Sequence, residues 1–200
     1  MKPEIKLIIL DGYGIILSRG YPDTVDYLSK KYNLNKKRLH DVLYKKYFNL
    51  AAERRITQKD AWKKAVTELK LPMTWQEVRE LHMGLFKVNQ PVMKLIARLR
   101  KDYRVIMLSK NTRSQFADTK KLFPEAWKNV DAVINTWELG LPKASKRTIL
   151  EICRRFRVKP SEVVYADDQR DNLIEPKKLG VKTVYYKSFK QFKEDIIRNL

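Results

Sequence analysis

The chain begins with an apolar run, "IKLIIL", that ends on Asp11 and turns at once through "DGYG". A short continuous apolar run bounded by an acid and glycines predicts a buried strand over 4–10. After Ser18 the spacing becomes helical. Val25, Leu28 and Tyr32 share one face of "DTVDYLSKKYN", and Leu39, Val42, Leu43, Tyr47 and Leu50 share one face of "NKKRLHDVLYKKYFNLAAE". "TQKDAWKKAVTELK" opens with Thr57 and has Asp60 three residues on; "TWQEVRELHMGLFKV" opens with Thr74 and has Glu77 three residues on. Both openings predict N-caps, because the hydroxyl and the acid can each accept from a free backbone amide.

From Pro91 strand and helix alternate. "PVMKLIARLRK", "RSQFADTKKLF", "KRTILEICRRF", "RDNLIEPKKLG" and "KQFKEDIIRNL" read as helices, and "YRVIMLS", "VDAVINT", "SEVVYADD" and "KTVYYK" as strands. Pro176 is expected to kink its helix and Gly180 to close it. Continuous apolar strands between helices predict an α/β fold, a Rossmann-like doubly wound parallel sheet, interrupted by an all-helical insertion. The expected division is a core of residues 1–18 and 90–200, with a helical unit of residues 19–89.

The strand ends carry the chemistry, since ligands of open parallel sheets sit beyond the carboxyl ends of the strands. The first strand delivers Asp11. The second delivers Ser109, Lys110 and Asn111. Lys143 follows the third, and Asp167 and Asp168 end the fourth. Clustered carboxylates repel one another unless a cation is present, and oxygen ligands without His or Cys suit Mg²⁺. A serine hydroxyl and a lysine ammonium suit phosphate oxygens, and an aspartate can attack phosphorus to form an aspartyl-phosphate.

In this order the segments resemble the four motifs of the haloacid dehalogenase-like (HAD) phosphatases: "LIILDGYGII", "VIMLSK", "ELGLPKASKRTI" and "VVYADDQRDNLIEPKKLGVKTV". The helical insertion falls where the subfamily I members carry their type C1 cap. The resemblance implies a Mg²⁺-dependent phosphomonoesterase acting on small phosphorylated metabolites, sugar phosphates first. It implies Asp11 as nucleophile and metal ligand, the backbone carbonyl of Tyr13 as a further ligand, and Asp167 and Asp168 completing the metal site. Ser109, Lys110 and Lys143 would hold the phosphate, with Lys143 also balancing charge at the nucleophile. The chain departs from the usual motifs at Tyr13, Ile15, Lys110 and Ala144. The usual second Asp protonates the leaving group and then activates water. Tyr13, in its place, has a reference pKa far above neutral and implies slow turnover. The branch that includes bacterial alpha-glucose-1-phosphatase also lacks that acid, and "DGYGII" and "LSKNTR" resemble it most.

Composition adds limits. The 200 residues are 44% apolar and 33% charged, with Cys153 as the single cysteine, so neither an internal disulfide nor a thiolate metal cluster can form. The N-terminal apolar run is too short for a signal peptide and none is long enough for a membrane span, so a cytoplasmic protein without membrane contact is expected. A net charge of +20 favours acidic partners, phosphorylated metabolites or nucleic acid. A catalytically weakened HAD-fold protein that binds nucleic acid is therefore the alternative function. The lysines are spread along the whole chain, which favours a solvated surface. "YKKYFN" and "KSFKQFK" interleave aromatics with lysines, as single-strand binders do, but also fit amphipathic helices, the preferred reading. His40 and His82 lack a metal partner at helical spacing and are assigned to packing or the surface. Trp62, Trp75 and Trp127 are assigned to the core, and Trp137 to the neighbourhood of Lys143. Arg54, Arg55 and Lys59 are candidate anion contacts. Monomer and homodimer both fit.

Overall fold

The structure is a computed structural model that describes residues 4–200; the first three residues of the expected core lie outside it. Strand β1 (Leu7–Asp11) is followed by α1 (Tyr21–Tyr32), α2 (Lys36–His40), a π-helical stretch (Asp41–Phe48), α3 (Asn49–Ala52), α4 (Gln58–Leu69) and α5 (Trp75–Gly84). Alternation then begins with α6 (Gln90–Leu99), β2 (Arg104–Ser109), α7 (Arg113–Leu122), α8 (Pro124–Lys128), β3 (Ala132–Asn135), α9 (Thr136–Leu139) and α10 (Lys146–Phe156). The chain ends with β4 (Val163–Asp167), a 3₁₀ turn (Arg170–Leu173), α11 (Ile174–Lys178), β5 (Lys182–Tyr185) and α12 (Phe189–Asn199).

The strands form one parallel sheet in the order β3-β2-β1-β4-β5. The chain leaves β1 to one side for β2 and β3, then returns to the other side for β4 and β5, so the order reverses at β1. Asp11 lies opposite Leu108, Leu10 opposite Ala166, and Ser109 opposite Asn135, which brings the carboxyl ends of the strands level. Side chains alternate across the sheet. Ile8, Leu10, Val105, Met107 and Val164 pack under α6 and α12, while Leu7, Ile9, Ile106, Leu108 and Val163 pack against Ile149 and Ile152 of α10. The helices inserted after β1 close over their own cluster, which includes Val25, Leu28, Leu43, Trp62 and Val78.

Both predicted caps form. The Thr57 hydroxyl accepts from the Asp60 amide at 3.0 Å, and Thr74 and Glu77 make a reciprocal box. Two expectations need correction. The long helix expected over 35–53 is broken by π-helical bonding from Asp41 to Phe48. Pro176 does not kink one helix: it sits in the first turn of α11, after the 3₁₀ turn, where its missing amide leaves no bond unmade. Two short helices, α8 and α9, were not predicted. The lysine-aromatic segments are amphipathic helices, with Phe48 and Phe192 buried. Trp62 and Trp127 are buried as expected, and Trp75 is half-buried.

His82 takes a buried role and not a surface one. It lies where the inserted helices meet α7. The Thr24 hydroxyl donates to the Gly20 carbonyl, so His82 Nδ1 donates to Thr24 Oγ1 at 2.8 Å, and Nε2 accepts from Gln115 at 2.9 Å. This network fits only the neutral imidazole. Burial, followed by the charge of Arg79, pushes its pKa down to about 3. The unfolded chain therefore binds one more proton than the folded chain between about pH 6.5 and that value. The stability that His82 contributes is present above pH 6.5 and falls below it by about 1.4 kcal/mol per pH unit, or about 2 kcal/mol at pH 5. Denaturant unfolding at pH 7 and pH 5 should show this loss in the parent and little of it in His82→Gln. Equal losses in both would remove His82 as the cause.

Candidate active site

The reversal of strand order puts the ends of β1 and β4 side by side. Asp11 and Asp167 are both buried there. The Lys143 ammonium lies between them, 2.6 Å from Asp11 Oδ1 and 2.8 Å from Asp167 Oδ2. The loop that carries it is pinned by the Thr148 hydroxyl, which donates to the Pro142 carbonyl at 2.7 Å, and by Ser145, which caps α10. Ala144 follows in a left-handed conformation, φ 57°. Proline, common at this position in the resembled motif, is fixed near φ −65° and cannot adopt it.

Burial pulls the Lys143 pKa down, but the two carboxylates outweigh it and hold the ammonium charged. Burial and the neighbouring Asp167 push the Asp11 carboxyl well up, with Lys143 pulling the other way. Burial and Asp167 also raise Asp168.

The acids differ in what they have left to offer. Asp167 is fully engaged: Oδ2 takes Lys143 and the Tyr165 hydroxyl, and Oδ1 takes the Gln169 amide at 2.8 Å and the Asn172 side chain at 3.0 Å. Asp168 Oδ1 is buried without a partner. Carboxylate oxygens of Asp11, Asp167 and Asp168 lie within 4.8 Å of one another. With all three ionised, the carboxylates would outnumber the ammonium by two charges, the repulsion that contributes to raising Asp11 and Asp168. A hard divalent cation fits that donor set and that charge. Gly14 permits the arrangement, because it adopts φ 118° and a Cβ there would overlap the Asp168 carboxyl.

Ser109 ends β2 fully buried, and its hydroxyl has no partner. Lys110 is half-buried; burial lowers its pKa, and its ammonium donates to Asn49 of α3 at 2.8 Å. Tyr13, expected at the leaving-group oxygen, turns its hydroxyl to Thr119 of α7 at 2.6 Å. Thr119 itself donates to the Gln115 carbonyl, so the phenol is the donor. Its ring stands edge-on to Phe86, 5.4 Å between centroids. Burial raises its pKa further, opposed by the Thr119 bond. Ile15, where the resembled motif has Thr, is buried in the core.

A cavity of about 700 Å³ opens above Asp11, with Lys110, Lys143 and Asp168 at its base. A second, of about 410 Å³, touches Lys110 and Lys143 from the side of Trp137. There the Arg54 guanidinium stacks 4.4 Å over the Trp137 ring. Arg55 and Lys59 line neither cavity: Arg55 pairs with Glu53, and Lys59 lies over Trp75. Sequence reasoning missed Tyr165, although it shares a strand face with Asp167 two residues on. It also missed the wall of the larger cavity contributed by His40, Tyr44 and Phe48, although they recur every four residues.

The HAD-like hydrolase family profile matches residues 5–180. Among solved structures, the chain is similar to the HAD family enzyme bt-2542 of Bacteroides thetaiotaomicron, crystallised with magnesium and inorganic phosphate: TM-score 0.72, 16% identity, covering 92% of this chain and 94% of that one. It is similar to a protein of Porphyromonas gingivalis described as a predicted HAD-like family hydrolase, TM-score 0.72 and 21% identity over 97% of each chain. It is also similar to a HAD phosphatase of Thermococcus onnurineus, TM-score 0.58 and 19% identity, covering 92% and 86%. Because the family match spans most of the chain, from β1 through β4 and with them Asp11, Lys143, Asp167 and Asp168, the chain belongs to the haloacid dehalogenase-like hydrolase family.

Proposed function

We propose that the protein is a Mg²⁺-dependent phosphomonoester phosphatase that works through an aspartyl-phosphate on Asp11, with the helices of residues 19–89 acting as a cap over the site. The observation that carries this is the pair of unsatisfied buried oxygens, Ser109 Oγ and Asp168 Oδ1, on either side of an Asp11 carboxylate braced by Lys143. The one is a free donor for a phosphoryl oxygen, the other a free ligand for a cation. Magnesium and phosphate bound to the Bacteroides enzyme support the same assignment by analogy.

Asp11, Asp168 and the Tyr13 carbonyl would hold the metal, which would supply charge neutralisation at the phosphoryl group. Asp167 would act on Lys143, fixing the ammonium between the nucleophile and the phosphate. Asp11 attacks phosphorus, the ester P–O bond breaks, and the leaving oxygen takes a proton. Water then attacks the phosphoryl group, returning Asp11 and inorganic phosphate. With the Tyr13 phenol committed to Thr119, both proton transfers fall to solvent. Breakdown of the aspartyl-phosphate is then the slow step, and phosphoenzyme accumulates.

Three outcomes follow. Asp11→Asn, or removal of metal by a chelator, should abolish hydrolysis of an aryl phosphate; activity surviving either change would defeat the mechanism. Gly14→Ala should displace Asp168 and weaken Mg²⁺ binding by about tenfold or more, the scale of effects from groups that support metal ligands, as read by calorimetry. Unchanged affinity would remove Asp168 from the metal site. A positioned acid or base contributes about 10²–10⁴-fold, so Tyr13→Phe should keep kcat within roughly threefold of the parent. A hundredfold loss would make the phenol a proton donor.

A further inference from the structure

The phosphate end uses only the floor of the larger cavity. The wall above it comes from the π-helical stretch. A π-helix turns once in somewhat more than four residues, so positions four apart stay on one face. His40 and Tyr44 lie 5.3 Å apart between ring centroids, and Tyr44 and Phe48 also lie 5.3 Å apart, with planes within 13° of parallel. All three rings line the cavity, and Tyr185 and Tyr186, at the end of β5, wall it from the sheet side. Stretches of π-helix are rare and concentrate at functional sites.

We propose that the leaving group of the natural substrate is a planar nitrogenous ring system, as in a nucleoside monophosphate, seated against the Tyr44 ring where it borders the cavity, with Phe48 backing that ring. This rests on the phosphatase reading above and adds the substrate class to it. Three features favour a flat ring over a sugar alone. The volume, about 700 Å³, is far more than a phosphate needs and lies within the range of small-molecule sites. Among the described residues, the acids lining the cavity are Asp11 and Asp168, both at the phosphate end, so no carboxylate stands in the upper part to accept from an array of sugar hydroxyls. The upper part offers ring faces, together with the Gln169 amide beside the Tyr44 hydroxyl at 3.4 Å, a group that can serve a base edge. Lys187, which makes no ion pair among the described residues, adds an attractive charge for the dianion at the mouth.

The test is calorimetry of the full chain carrying Asp11→Asn, in Mg²⁺, with adenosine monophosphate and with ribose 5-phosphate. These differ at one carbon, where the base takes the place of the anomeric hydroxyl. Base–aromatic stacking predicts that the nucleotide binds about 10- to 100-fold tighter, and that adding Tyr44→Ala removes about that factor while changing ribose 5-phosphate less than threefold. Tyr44→Leu, which keeps apolar packing but loses the ring, should do the same and covers the case in which the alanine variant fails to fold. Equal affinity for the two ligands, or equal loss for both in the variants, would overturn the proposal. Turnover by the parent separates this from the reading beneath it. Absence of hydrolysis of any ester, with the binding preference intact, would defeat the phosphatase assignment and support the ring site. Hydrolysis of ribose 5-phosphate at the same kcat/KM as the nucleotide, without a binding preference, would leave a phosphatase and overturn the ring site.

Discussion

The contact on which the site depends is a single buried ammonium, Lys143, held between Asp11 and Asp167. Placing such charges in a protein interior gains little net stability over apolar packing, while removing one partner leaves its counterpart uncompensated, at about 3–5 kcal/mol. An arrangement of this kind therefore points to use, not to folding. Its geometry follows from the backbone. Parallel pairing puts the ends of β1 and β4 level, and the capped start of α10 fixes the loop that brings in Lys143. Asp167 is spent in this frame, which leaves Asp11 and Asp168 to line the cavity.

The inserted helices meet the sheet domain through polar groups. Gln58, Gln115 and His82 form one hydrogen-bonded chain, Arg79 pairs with Asp118, and Lys110 reaches Asn49. Most apolar side chains stay in the cluster of their own side, but Met83 of α5 and Phe86 pack into the cluster beneath the sheet, where Phe86 meets the Tyr13 ring. Interfaces between structural units within one chain are typically more polar than obligate interfaces between chains. The same meeting place walls the cavity, so its lining comes from both parts of the chain.

Much of this was legible in the sequence. The parallel sheet could be read because its strands are continuous apolar runs, and the acids, serine and lysine could be located because strand ends converge. Caps at Thr57 and Thr74 were visible because a hydroxyl and an acid three residues apart have a local geometric meaning. Other features depend on contacts distant in sequence. Nothing near Tyr13 signals that its hydroxyl is tied to Thr119, and nothing near His82 signals Thr24 on one side and Gln115 on the other. The π-helical bonding was hidden because the apolar spacing of residues 35–53 fits an ordinary helix as well. Asp167 and Asp168 read alike as neighbours; only their partners distinguish an engaged carboxylate from a free one.

The most direct test is to trap the covalent intermediate. Parent protein mixed with an aryl phosphate and Mg²⁺, quenched in acid within milliseconds and reduced with borohydride, converts a phosphorylated aspartate to homoserine, which peptide mass spectrometry locates. Modification at position 11 alone, reaching a large fraction of the protein before steady state, is the predicted result. Hydrolysis with no modified residue, or with the modification at Asp167 or Asp168, would contradict the assignment of Asp11 as nucleophile.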